Sequence, residues 1–252
     1  MDQKMYLPQK NHEAFNEVYA RMCGGEVIQV VPGLSTHLTE GFFYRRNYIA
    51  PSADADIRGI VETIIENTKK GYPSLTTITP ELLPDGTEQI LTEMGFELIV
   101  PEYGMVYEMG SCQMDQATDP NIDVIYKDEI SLWVDAMVEG FREENKVRED
   151  VVFESLVRSP EMTFFGYRLD GRIAGTAILY DSEEYAGIYE IAVPKQYRRN
   201  GIASALVRHL LKMIESRGYR GAILQASPMG KPVYEKIGFR QVCRMDQYLL
   251  KR

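Results

Sequence analysis

The stretch ISLWVDAMVEGF sets Ile130, Trp133, Val134, Met137, Val138 and Phe141 three and four residues apart. That spacing predicts an amphipathic helix with one apolar stripe, frayed near its end by Gly140. Ahead of it, IDVIY at 122 to 126 alternates as a short strand does. Behind it, EDVVFESLVRS predicts a second helix that stops before Pro160. MTFFGYRLDGRIAGTAILY puts Asp170-Gly171 between two β-prone runs, a strong hairpin signal. A third strand, YAGIYEIAV, runs into Pro194, and GIASALVRHLLKMIESRG predicts a helix with Ile202, Leu206, Leu210, Met213 and Ile214 on one face and a stop at Gly218. AILQAS reads as a strand, KPVYEKIG as a short helix and FRQVCRMDQYLL as a last strand.

The first half echoes this order. GYPSLTTITP at 71 to 80 is similar to GYRGAILQASP at 218 to 228, LTEMGFELI at 91 to 99 to VYEKIGFRQV at 233 to 242, and each GY follows an amphipathic helix, IRGIVETIIENTKK in the first case. A separation near 145 residues suggests two copies of one fold. The polar stretch DQATDPN at 115 to 121 reads as a linker, giving domains 1-116 and 117-252. The net charge of −9 belongs to the first copy: residues 1 to 118 hold 17 acidic and 8 basic side chains, and the remainder 20 of each. Such a balance argues against a nucleic-acid binder, which needs a basic face. It fits solubility or a cationic partner.

YEIAVPKQYRRNGIASALVRHLL combines a strand, a glycine-bearing loop and a helix start. Consecutive backbone N–H groups ahead of a helix N-terminus form an anion site suited to phosphate. Gly201 and the small Ala203 let backbone approach a ligand, and Arg198 and Arg199 add charge at the rim. The same arginines also fit a plain solvated turn. Neither GxGxxG nor GxxxxGK[ST] is present.

The pattern RxxGxA after a strand ending V-x-P resembles the acyl-CoA loop of the GNAT superfamily of N-acetyltransferases. The resemblance spans nearly all of residues 120 to 252: DGRIAGTAIL looks like the second and third strands of that family, YEIAVPKQYRRNGIASALV like motif A and ILQASPMGKPVYEKIGF like motif B. It implies an α/β (α+β) GNAT fold, a mixed, mostly antiparallel sheet flanked by helices, here as two tandem GNAT-like domains with the first degenerate. It also implies that the fourth and fifth strands splay and receive the pantetheine arm of acetyl-CoA on backbone groups of Ile191, Ala192 and Val193. The pyrophosphate falls to the amides of Arg198, Arg199, Asn200, Gly201, Ile202 and Ala203, with the Ser204 hydroxyl beside them. Ser227 stands where many relatives carry an asparagine that touches the CoA arm, and its shorter side chain puts that contact in doubt.

For the chemistry, the resemblance implies an acetyl-CoA-dependent N-acetyltransferase acting on a primary amine of a small molecule or peptide by direct attack in a ternary complex. An alkyl amine of pKa about 10.4 is mostly charged at neutral pH and must first lose a proton. Glu190 is the candidate base, although a strand glutamate is often merely solvated. Tyr234 is the candidate acid for the departing thiolate, with a core aromatic as the competing role. The amide of Ala192 or Val193 is a candidate donor to the thioester carbonyl. The alternative function is a non-catalytic acyl-CoA-binding sensor or interaction module.

Cys23, Cys112 and Cys243 show no CxxC spacing and the three histidines share no metal-ligand spacing, so no metal is expected and a reducing cytoplasm is. No apolar leader or membrane segment is expected, nor a nucleic-acid partner, and a homodimer is compatible with the sequence. The string YRRNYIA at 44 to 50 repeats six of seven letters of YRRNGIA at 197 to 203. It is expected to be a strand and not a second loop, because Tyr48 replaces the glycine and Asp54 and Asp56 would repel phosphate.

Overall fold

The computed structural model describes residues 3–39, 45–110, 119–141 and 150–251. Most of the expected linker, residues 115–118, lies outside them. By compactness the chain divides into two units that exchange segments. The first holds Met1–Met105, Gln225–Lys231 and Gln241–Arg252; the second holds Val106–Leu224 and Pro232–Arg240. The cut expected at 116/117 concerns copies of a sequence, and the compact units divide the chain differently.

In chain order the first half runs α1 (Leu7–Met22), β1 (Glu26–Val31), β2 (Leu34–Leu38), β3 (Arg46–Ile49), α2 (Ile57–Thr68), β4 (Thr76–Ile78), α3 (Thr87–Glu93) and β5 (Phe96–Glu108). The second runs β6 (Ile122–Ile125), α4 (Ile130–Phe141), α5 (Asp150–Leu156), β7 (Met162–Leu169), β8 (Arg172–Tyr180), β9 (Tyr185–Ala192), α6 (Ile202–Ser216), β10 (Gly221–Ala226), α7 (Lys231–Ile237) and β11 (Arg240–Leu250). Helix, three strands, helix, strand, helix, strand thus occurs in both halves, with an extra leading strand and helix in the second.

In the first unit the strand order is β1-β2-β3-β4-β11-β5. β3 pairs parallel with β4, and β11 pairs antiparallel with β4 through Asp246↔Ile78, Gln247↔Thr77 and Tyr248↔Thr76. An apolar core of Leu34, Ile49, Ile60, Val61, Ile64, Leu91 and Phe96 closes under α2 and α3 and takes in Tyr248 of β11. Residues 46 to 49 of the repeated string are strand β3, as the pattern indicated, and its Tyr44 lies outside the described residues.

In the second unit the order is β5-β10-β9-β8-β7-β6. The β7–β8 hairpin turns at Asp170 and Gly171, both with left-handed backbone (φ 49° and 74°), as a two-residue primed turn demands. β9 is antiparallel to β8 and parallel to β10, which makes the sheet mixed. α6 buries Ile202, Leu206, Val207, Leu210, Leu211 and Ile214, while Met213 is only half-buried.

One expectation for α4 is corrected. Phe141, assigned to the apolar stripe, is 52% exposed. Gly140 has a packing role: a Cβ there would stand 2.7 Å from the Ala192 Cβ and 2.9 Å from the Val193 nitrogen, so the glycine is what lets α4 lie against the end of β9. Gly175 does the same for α6, since a Cβ on it would meet the Ile202 side chain at 2.5 Å. Among the described residues no helix is long and apolar enough to cross a membrane, and no group of three or more His, Cys, Asp or Glu could hold a metal ion.

Candidate functional site

Pairing between β9 and β10 runs Tyr185↔Gly221, Ala186↔Ala222 and Gly187↔Ile223 and goes no further, although β9 continues to Ala192. On its other side β9 carries an extra residue. Thr176 faces Ala192 and Ile178 faces Tyr189, so two steps of β8 oppose three of β9. The surplus residue bulges at Glu190, whose φ of 50° is held by the Thr176 hydroxyl donating to its carbonyl at 2.9 Å. The bulge turns the strand end, Glu190 to Val193, away from regular ladder geometry just where the parallel partner has left it. Glu190, Ile191 and Val193 are half-buried and Ala192 is buried.

After Pro194 a single 3-10 turn, Lys195–Tyr197, leads into the loop. Arg199 (φ 66°) and Gly201 (φ 78°) are both left-handed, so the amides between them curl into a concave nest. α6 begins directly after Gly201 with no side-chain cap and no acidic residue in its first turn. The amides of Arg199, Asn200, Gly201, Ile202, Ala203 and Ser204 have no hydrogen-bond acceptor among the described residues; the series resumes only at Ala205, which donates to Gly201 O at 2.9 Å. A Cβ on Gly201 would meet nothing within 4 Å among the described residues, so the space beside its Cα is open. Six unsatisfied donors at the positive end of a four-turn helix can accept an anion with several oxygens.

The first half supplies an internal contrast. α2 follows β3 as α6 follows β9, but Asp56 caps it, its Oδ1 accepting from Gly59 N at 3.1 Å. The helix end that is open in the second half is closed by the chain's own carboxylate in the first.

The remaining sequence-predicted residues are placed as follows. Arg199 and Asn200 are exposed, and Asn200 Nδ2 donates to Tyr197 O at 3.2 Å. The Arg198 side chain points back into the protein, Nε donating to Val193 O at 3.0 Å and Nη2 to Gly140 O at 2.8 Å. Ser227 is exposed in the first unit and its hydroxyl accepts from Gly230 N at 3.2 Å, a turn contact ahead of α7. Tyr234 is buried on α7, 7% exposed, with its ring edge-on to Phe239 at 6.2 Å. Burial lifts its phenol well above the ordinary value, so the hydroxyl stays protonated. That hydroxyl bonds to nothing among the described residues, yet it is not one of the sealed-off polar atoms of the core. At neutral pH it thus carries its proton and has no hydrogen-bond acceptor among the described residues.

Residues 134–248 match the family model of the acetyltransferase (GNAT) domain. The second half of the chain carries a GNAT acetyltransferase domain. A glucosamine 6-phosphate N-acetyltransferase of Trypanosoma brucei brucei is 32% identical to this chain over 83 residues, 30% of this chain and 56% of that protein. The match thus spans just over half the length of that curated relative. Among solved structures, a GCN5-related N-acetyltransferase from Kribbella flavida superposes with a TM-score of 0.70 at 14% identity, covering 96% of this chain and 95% of that one. A functionally unknown conserved protein from Staphylococcus epidermidis ATCC 12228 superposes at 0.65 and 12% identity, covering 91% and 95%. These likenesses show the fold, which extends over both halves of the chain. Sequence reasoning missed three supports of the GNAT loop: Gly140, Gly175 and the Thr176 hydroxyl. The glycines were visible as letters, but the close approaches that require them are tertiary.

Proposed function

We propose that the GNAT domain transfers an acetyl group from acetyl-CoA to a primary amine of a small molecule or peptide, in the cytoplasm. The run of acceptor-free amides from Arg199 to Ser204 carries this reading. A diphosphate has the oxygens to take those hydrogen bonds, and the open space beside the Gly201 Cα leaves room for it. When bound, the coenzyme supplies a thioester that an amine can attack without a covalent enzyme intermediate. The chain's residues bind and orient it: Arg198 to Ala203 through backbone amides, Ser204 through its hydroxyl, and Ile191 to Val193 through the strand groups that β10 leaves unpaired. Ser227 contributes at most a short hydroxyl contact.

Glu190 is proposed to take the amine proton directly or through water, and Tyr234 to give one to the departing thiolate. The amide of Ala192 or Val193 polarises the thioester carbonyl as a single donor. The first half is proposed to be a degenerate copy that binds no CoA, since Asp56 already occupies the end of α2. The printed name of the Trypanosoma relative supports an amine-bearing small molecule as acceptor. Release of free CoA, followed by thiol titration across a panel of amino sugars, polyamines and peptides, tests the proposal: turnover with at least one is expected. Acetyl-CoA binding without turnover on any acceptor would instead favour the sensor module, which takes its support from the burial of Tyr234 against Phe239.

A further inference from the structure

Arg198 is the first residue of the RxxGxA pattern and sits beside the amides just described, yet its guanidinium faces away from them. Nε donates to Val193 O at 3.0 Å and Nη2 to Gly140 O at 2.8 Å. The first bond closes a ring around the Lys195–Tyr197 turn and ties the loop to the end of β9. The second reaches the backbone carbonyl of Gly140 on α4. A planar fork that binds two carbonyls at once sets the distance between them, which a flexible ammonium does not. Two further contacts hold the same junction: Gln196 Nε2 donates to Glu139 Oε1 at 3.0 Å, and Gly140 admits Ala192 and Val193 to within 3 Å of where its Cβ would be.

We infer that Arg198 is a positioning residue and not a phosphate ligand: its side chain locks the donor-binding loop and the end of β9 to α4 at Gly140. Where the chain acts as an acyltransferase, this lock keeps the thioester carbonyl aligned with an acceptor held beside α4. The kinetic part of the inference rests on the function proposed above, and the structural part does not. A bond network of this kind matters to a reaction through alignment, where a displacement near 1 Å costs on the order of a hundredfold in rate.

The test compares Arg198→Ala, Arg198→Lys and Gly140→Ala with the wild-type full chain, using acetyl-CoA and S-acetyl-N-acetylcysteamine, a short thioester with no pyrophosphate. Arg198→Ala is expected to lower kcat by roughly tenfold to a hundredfold, and by the same factor with both donors. Its Kd for acetyl-CoA should move by less than about threefold, well under the tenfold that corresponds to about 1.4 kcal/mol. Arg198→Lys should recover part of the loss, since one carbonyl can still be bonded. Gly140→Ala, which forces the same junction apart without touching Arg198, should reproduce it.

A fall in acetyl-CoA affinity of about tenfold or more with turnover of the short thioester intact would make Arg198 a phosphate ligand and overturn the inference. Hydrogen exchange on ligand-free protein gives a second readout. Peptides covering 134–141 and 188–193 should exchange faster in Arg198→Ala, and unchanged protection would likewise overturn it. Failure of the wild type to turn over either donor would defeat the acyltransferase reading, while the exchange comparison would still decide the lock.

Discussion

Tyr234 joins a buried ring to an unengaged hydroxyl. The ring packs on Phe239, while the phenol oxygen bonds to nothing among the described residues and burial keeps it protonated. Removing the oxygen therefore breaks no internal bond, and Tyr234→Phe should leave thermal stability within about 0.5 kcal/mol of wild type. If the hydroxyl is the acid, turnover should fall by about a hundredfold or more with acetyl-CoA affinity unchanged. Equal turnover in the two proteins would leave Tyr234 a core aromatic. Cys243 illustrates the opposite case. Burial pushes its thiol up to about 12, and with Gly104 packed against it the sulfur is inert at neutral pH.

Among the elements, α1 packs polar residues inward. Gln9, Asn11, His12 and Asn16 are buried on it, and the Tyr48 hydroxyl on β3 is bonded by Asn16 Nδ2 at 2.9 Å and lies 3.1 Å from His12 Nδ1. His37 on β2 stands edge-on to the same ring at 5.0 Å, beside buried Arg46, with Glu13 and Glu102 as the nearby acids. Burial first, then the charge of Arg46, lowers both imidazoles, His37 to about 4. Folding thus keeps them neutral, and the unfolded chain takes up their protons as pH drops below its own value of 6.5. Their contribution to stability should decline from about pH 6.5 towards 4, by up to about 1.4 kcal/mol per pH unit for each histidine. Burial raises the carboxyls of Glu13, Glu102 and Asp246, the last to about 6, and these gain protons in the folded state and oppose the trend. Urea midpoints of wild type and His37→Phe across this range isolate the histidine: the variant should lose less stability on acidification, and equal profiles would contradict the buried neutral pair.

The same helix explains what the sequence left unread. α4 and α6 bury apolar stripes and were legible from spacing, and the β7–β8 turn was legible from Asp170-Gly171. α1 buries amides and an imidazole, so periodicity of apolar letters does not reveal it. The β1–β2 hairpin was missed although Pro32-Gly33 marks its turn, with φ 83° at Gly33. In the site, the loop and its glycine were readable because the run of open amides is local. The partners of Arg198 were not: Gly140 lies 58 residues away, and a basic residue near a phosphate loop reads as a phosphate ligand.

For the whole molecule, the exchange of segments between units has a direct consequence. The last strand of the chain completes the first unit: Tyr248 enters its core, and Arg244 pairs with Glu88 at 2.9 Å and Glu81 at 3.5 Å. Ending the chain at Arg240 should strip hydrogen-exchange protection from β4, α2 and α3, and the fragments 1-116 and 117-252 should each fold less stably alone than together. Unaltered protection of those elements in the shortened chain would show that β11 is dispensable and would favour the sequence-based cut. The repeated string belongs to this scale as well, since one copy is a strand under a capped helix and the other a loop before an open one.

The central claim is that the open end of α6 binds the diphosphate of acetyl-CoA. Calorimetric titration of the full chain, as wild type and as Gly201→Glu, addresses it most directly. The substitution sets a carboxylate and a strained left-handed residue at the nest, much as Asp56 closes α2. One acetyl-CoA should bind per wild-type chain, and the variant should bind it weaker by more than about tenfold. No binding to folded wild-type protein, or equal affinity in the two proteins, would contradict the account.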